Sequence, residues 1–178
     1  MRNRESFLIW SSCSRLPLSR SHLAGVSLLE LLVVLAITAI LLSLALPGYR
    51  LFSQRQELSH DLVRLHNALN LARNSAITLS QRTTLCPSHD GVHCSHDWSD
   101  SLLLFSGPAD DSQILHRFES SRTRSVTYNR GAAIVFQSSG RASGYNGTFT
   151  LCMKSGQGAT LILSNFGRTR QGTEPVSC

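Results

Sequence analysis

The chain has no G-x-S-x-G element, no glycine-rich phosphate loop and no nucleophile whose partners stand at a recognisable spacing. Its sequence therefore gives no ground for an enzyme or for a bound cofactor. Internal repeats and low-complexity linkers are also missing, and 178 residues leave room for one domain. Charge is scarce in one stretch and of one sign in another. Between Val26 and Leu46 the only ionisable residue is Glu30, and residues 83 to 116 hold no Lys or Arg against Asp90, Asp97, Asp100, Asp110 and Asp111. Regular zinc spacing is absent too. His89, His93 and His96 lie among Cys86 and Cys94, and thiolate and imidazole are good zinc ligands, but no C-x2-C pair is joined to an H-x3-5-H pair in one finger. No metal is expected.

What is present begins with an apolar run. The 21 residues from Val26 to Leu46 would span about 31 Å as a helix at roughly 1.5 Å per residue, enough to cross a bilayer core. Arg2, Arg4, Arg15 and Arg20 precede it against Glu5 alone, so positive charge holds residues 1–25 in the cytoplasm and the remainder is exported. A secretory signal would end in small residues of A-x-A type, whereas Pro47 and Gly48 follow here, which favours a retained membrane helix. Within it, an ionised Glu30 costs roughly 2.5–3.5 kcal/mol unless it is paired or lies near the interface.

Beyond Pro47 the helix is expected to continue to residue 80 with a kink or break. Leu58, Leu62, Leu65, Leu69, Ala72, Ala76 and Leu79 recur at steps of three and four, while Arg55, Glu57, Asp61, Arg64, Asn67 and Arg73 take other faces, the pattern of an amphipathic helix packed on a core. After Ser80, "TTLC", "SLLLF", "QILHRF", "RSVTY", "AAIVF", "GTFTLCM" and "ATLILS" read as short antiparallel strands separated by Gly, Ser, Asp and Asn. The expected class is α+β: one long helix, then residues 81–178 as a β-rich head.

Export makes the cysteines candidates for disulfides. Leaving Cys13 with the leader, Cys86, Cys94, Cys152 and Cys178 allow three connectivities. The pairing favoured is Cys86–Cys94, closing the turn-rich "CPSHDGVHC", with Cys152–Cys178, tying the last residue to a strand. Charge in the head is uneven. Residues 26–178 carry 13 Lys/Arg and 10 Asp/Glu, net +3, yet residues 117–178 alone are +6, which suits either an anionic partner or a solvated basic face.

Several segments resemble a known family. "GVSLLE" is similar to the type IV prepilin processing motif, with Val26 where Phe is commoner and Ser27 where Thr is; "LCPSHDGVHCSHDW", "IVFQSSGRASGYNGTFTLC" and "SNFGRTRQG" resemble the FimT/GspH group of minor pilins and pseudopilins. "WSDSLLLF" has Ser101 where that group often has Gly. The resemblance implies a pilin-like fold and cleavage by prepilin peptidase after Gly25, with methylation of Val26. It also implies that Glu30 neutralises the amino terminus of a neighbouring subunit during assembly with other pilin subunits. Such a protein would sit in the inner membrane by a single helix, residues 26–46, with its head in the periplasm before entering a filament.

DNA-binding members of the group use a G-R-x-R motif, matched by Gly167, Arg168, Thr169 and Arg170. The resemblance therefore implies sequence-independent binding of double-stranded DNA through a basic loop. Arginine is always charged and can grip a phosphate with two donors. Arg122 and Arg124, alternating in "SSRTRSV", would share one strand face as further contacts. Phe166 is the only aromatic residue near the pair, which favours backbone contact over base stacking. A structural minor pilin or type II secretion pseudopilin that touches no DNA is the alternative.

Overall fold

A serine starts the long helix. The Glu30 N–H donates to Ser27 Oγ at 3.1 Å, and the Leu31 N–H closes the first helical bond to the Ser27 carbonyl at 3.1 Å, so one of the unpaired first-turn donors gains a cap. The computed structural model describes residues 27–107, 113–131 and 133–178. The leader, the processing site Gly25–Val26, and Asp110 and Asp111 lie outside the described residues. Helix α1 covers Leu28–Leu79, and the chain divides into two compact units, Met1–Leu41 and Leu42–Cys178.

In the first unit the described side chains of α1 are apolar and exposed apart from the polar Glu30 and Thr38, whose hydroxyl donates to the Leu35 carbonyl at 2.9 Å. Among the described residues no single helix is long and apolar enough to cross a membrane. Leu28–Leu44 and Gly48–Leu79 meet the criteria of length and composition only when taken together. The break between Leu44 and Gly48 includes Pro47, which has no N–H for the helical ladder.

In the second unit α1 ends at Leu79, where Ser80 takes the left-handed conformation at φ 53° and its N–H bonds the Ile77 carbonyl at 3.2 Å. Nine strands follow among the described residues, all antiparallel in their pairing. They are β1 (Thr83–Ser88), β2 (Ser101–Ser106), β3 (Gln113–Phe118), β4 (Ser125–Tyr128), β5 (Ile134–Phe136), β6 (Gly147–Cys152), β7 (Gln157–Leu163), β8 (Thr169–Gln171) and β9 (Val176–Ser177). One sheet has the order β3-β2-β1-β5; the other runs β4-β6-β7-β8, with β9 also on β7. The architecture is α+β, a long amino-terminal helix on antiparallel sheets, as the sequence predicts. Strands β8 and β9 were not anticipated, being too short to show a period.

The core forms where the apolar stripe of α1 meets both sheets. Leu65, Ala68, Leu69, Ala72 and Ala76 are fully buried against Leu85, Leu102, Leu104, Ile134 and Phe136 of one sheet and Val126, Phe149, Leu151, Leu161 and Leu163 of the other. Each large side chain so buried contributes about 1.5–3 kcal/mol. Leu58 and Leu62 are partly buried, and Leu79, expected on this stripe, is exposed. Trp98 fills the space beside them, edge-on to Phe149 at 4.9 Å and to Tyr128 at 5.5 Å. Burial pushes the Tyr128 hydroxyl up to about 12, the Arg130 charge opposing; it donates to the Tyr145 carbonyl. Cys86 is bonded to Cys94 and Cys152 to Cys178. Ser101 at the head of β2 donates from its hydroxyl to the Ser88 carbonyl at 2.6 Å, a bond glycine could not supply.

Two residues assigned to the polar faces of the helix are instead buried. Asp61 is 0% and Arg64 8% exposed. Asp61 Oδ2 accepts from Ser121 Oγ at 2.5 Å and from the N–H groups of Arg122 and Thr123 at 2.8 Å each. Arg64 Nε lies 3.9 Å from Asp61 Oδ1, and its Nη1 donates to the Glu119 carbonyl. Residues 119–124 are where the chain leaves β3 in one sheet for β4 in the other, so the ion pair on α1 holds that crossing. Taking N–H groups 122 and 123 for a carboxylate also removes them from any ladder. β4 begins at Ser125, one residue after the expected Arg124, whose N–H still donates to the Cys152 carbonyl at 2.9 Å.

Burial raises the Asp61 carboxyl, but the bonds from Ser121 and Thr123 outweigh it and hold the group below its ordinary value. A depressed folded value stabilises the protein above the unfolded value of about 3.9 and is lost as pH falls through the folded one. Asp61→Asn is expected to cost about 3 kcal/mol at pH 7, since Arg64 then lies buried without its partner. It should also flatten the fall in stability on the acid side of pH 4. Chemical denaturation at pH 7 and at steps below pH 4 checks both.

Candidate nucleic-acid interface

The G-R-x-R segment is not a free loop but the return of a tight hairpin. Between β7 and β8 the Gly167 N–H donates to the Ser164 carbonyl at 2.9 Å and the Ser164 N–H to the Arg168 carbonyl at 2.9 Å. Ser164 Oγ accepts from the Arg168 N–H at 3.2 Å. Gly167 has φ 71°, the left-handed residue that closes a three-residue hairpin loop. A Cβ there would strike the Gly140 carbonyl oxygen and meet Arg73 Cδ at 3.2 Å. Glycine is therefore required by the turn and its packing.

Strand alternation then sorts the motif. β8 pairs with β7 through Leu163↔Thr169, Ile162↔Arg170 and Leu161↔Gln171. Thr169 turns toward the helix, where its hydroxyl lies 2.7 Å from His66 Nδ1, and His66 Nε2 lies 2.8 Å from Asn70 Nδ2. An amide nitrogen can only donate, so in the neutral ring Nε2 accepts and the Nδ1–H donates to Thr169. Arg168 and Arg170 take the other side of the strand and are exposed. Among the described residues neither guanidinium has an ion-pair partner. Two exposed side chains thus stand on a backbone fixed by a ladder, a turn and a helix contact.

Arg122 and Arg124 are placed differently. Both lie in the bend pinned by Asp61, not on a strand face, and Arg122 Nη2 is 3.8 Å from Glu119 Oε2. The Arg124 N–H donates to the Cys152 carbonyl, and Cys152 is opposite Gly158 on β7, whereas Arg170 is opposite Ile162. Three strand spacings across the sheet and four residues along it separate the two pairs by about 20 Å. The structure does not bring them into one cluster. It does bring in Arg141 and Arg73, which the sequence reading left out: Arg141 lies 4.7 Å above the Phe166 ring, and Arg73 packs at Gly140 and Gly167. No local pattern signals either contact.

The histidine-rich loop is tied to itself. Asp90 Oδ2 is 2.7 Å from His93 Nδ1, and Oδ1 accepts the N–H groups of Val92 and His93; His93 above all holds this exposed carboxyl well below its usual range. Among the described residues no three or more His, Cys, Asp or Glu are grouped to hold a metal. Glu30 stands in the first turn of α1, three residues after its Ser27 cap. That is capping-box spacing, and there a carboxylate also meets the positive end of the helix dipole.

Comparison with known proteins gives the chain its relatives. The type II transport protein GspH family matches residues 62–167, and the prokaryotic N-terminal methylation motif matches residues 20–46. No curated protein matches. The type IV minor pilin FimU of Pseudomonas aeruginosa is similar in two crystal forms. One has a TM-score of 0.58 at 22% identity over 71% of this chain and 98% of that one; the other has 0.56 at 20% over 68% and 99%. The minor pseudopilin EpsH of the type 2 secretion system of Vibrio cholerae aligns at 0.49 and 15% identity over 65% and 96%. Likeness to FimU at this identity establishes the fold. The family match covers more than half the chain but stops at Gly167, one residue short of the arginines. By that match the chain belongs to the family of the type II transport protein GspH, whose members are structural subunits and not enzymes, and it carries the prokaryotic N-terminal methylation motif.

Proposed function

We propose that this subunit is a minor pilin that captures double-stranded DNA for uptake, in natural transformation, with Arg168 and Arg170 as its principal contacts. The observation that carries the reading is their presentation: two exposed guanidinium groups without ion-pair partners among the described residues, Arg168 just before the edge strand β8 and Arg170 within it, flanking Thr169, which is bonded to the helix. Such groups reach phosphate oxygens without reading bases, so binding is independent of sequence. Gly25 and Val26 are then the site of cleavage and methylation by prepilin peptidase. Residues 26–46 are the single inner-membrane anchor, residues 47–80 the rest of the helix, and residues 81–178 the periplasmic head. Glu30 pairs with the amino terminus of the next subunit.

One observation favours a second reading. Because the family match ends before Arg168, membership carries no DNA contact, and a purely structural subunit of a pilus or type II pseudopilus is consistent with it.

Three outcomes are expected. Arg168→Ala/Arg170→Ala should lower the slope of log affinity against log salt by about 1.8, at roughly 0.9 per phosphate, and weaken all duplexes alike. Titrating the detergent-solubilised chain with labelled duplex at several salt concentrations measures this; equal slopes and affinities favour the structural reading. Glu30→Gln keeps the capping-box geometry but not the charge, so it should insert in the membrane and be missing from sheared filaments; normal incorporation would exclude the assembly role. Gly25→Val should retain the leader, and mass spectrometry finding Val26 as amino terminus would exclude the site.

A further inference from the structure

We propose that Arg141, seated on Phe166, is a third phosphate contact of the same surface, held ready by the hairpin tip. This rests on the DNA-binding reading. Arg141 is 27 positions from Arg168 in sequence, yet the two loops that carry them are joined backbone to backbone. The Ala142 N–H donates to the Asn165 carbonyl at 3.0 Å, the Gln137 N–H to the Arg141 carbonyl at 2.9 Å, and the Gly140 N–H to the Gln137 carbonyl at 2.7 Å. The Gly167 backbone then packs on the Gly140 carbonyl with no room for a side chain between them.

On this frame the Arg141 guanidinium lies 4.7 Å from the ring centroid of Phe166, a residue 59% exposed. An exposed arginine normally samples many rotamers, and ordering it on binding opposes affinity. Stacking on the ring restricts that freedom beforehand while leaving the N–H edges of the guanidinium free to donate. Phe166 is two residues before Arg168, so the stacked charge stands beside the pair. Among the described residues Arg141, like Arg168 and Arg170, has no carboxylate within ion-pair distance, in contrast to Arg122 with Glu119 and Arg64 with Asp61. Arg73, wedged against the same two glycines with its Nε buried and unpartnered, adds positive potential beneath the tip. Phe166 therefore acts as a platform for a cation, not for a base.

The test separates charge from stacking in the detergent-solubilised full chain. Arg141→Gln should lower the salt slope by about 0.9 relative to wild type. Phe166→Leu should leave the slope unchanged, because no charge is lost, and weaken binding about two- to five-fold as Arg141 loses its seat. Arg141→Lys should retain the slope with a similar loss of affinity. Lys154→Gln, an exposed cation at the Cys152 end of the sheet, is the control and should change neither. If wild type binds and the Arg168/Arg170 variant loses slope while Arg141→Gln does not, the third contact is refuted and the DNA reading survives. An equal loss of slope from Lys154→Gln would also refute it, reducing the effect to net charge. If wild type binds no duplex, both readings fall together.

Discussion

A carboxylate buried on one helix face holds the head together at its least regular point. Asp61 receives the Ser121 hydroxyl and the N–H groups of Arg122 and Thr123 where the chain leaves one sheet for the other, and Arg64 beside it takes the Glu119 carbonyl. A crossing segment has no ladder of its own, and its buried polar groups would each cost roughly 1–3 kcal/mol unmet. The ion pair meets several of them at once. The anion is met by three donors and faces the guanidinium, whose Nη1 reaches main-chain oxygens while its buried Nε and Nη2 make no hydrogen bond among the described residues. From that point the second sheet inherits its position, including the β7–β8 hairpin that carries the arginines.

The hairpin joins rigidity to charge by dividing the work among neighbouring residues. Gly167 makes the turn, Thr169 fastens the strand to His66, and Arg168 and Arg170 project from the other side. Both guanidinium groups are exposed and without ion-pair partners among the described residues, so both remain available. The same residues serve a structural pilin without contradiction, since glycine and threonine have sufficient conformational reasons to be where they are. Arginine alone is without a structural reason here, and the functional reading rests on it.

Much of the fold was legible. Seven of the strands lie where alternation and turn residues put them, and Leu65, Leu69, Ala72 and Ala76 are the buried stripe. Periodicity reports burial where a whole face is apolar. It misplaced Asp61 and Arg64, because a charge at a polar position reads as exposed unless its distant partners are known, and these lie about 60 residues away. It read Arg122 and Arg124 as a strand face for the same reason. β8 and β9 are only three and two residues long, and their strand character comes only from pairing with β7. At the candidate site the motif was visible, but Arg141 was not, since the stack on Phe166 joins two turns through a contact with no local signature.

The sequence by itself determined a long helix, its apolar first half, its lone Glu30, the strand-rich head and a basic carboxy-terminal half. These follow from composition and period, which act through nearest neighbours along the chain. Only the tertiary structure decided that Asp61 is an anchor, that Arg168 and Arg170 stand apart from Arg122 and Arg124, and that Arg141 stacks on Phe166 at the hairpin tip. Those outcomes depend on which main-chain donors and which ring a side chain meets after the sheets have closed on the helix, and sequence separation carries no record of that distance.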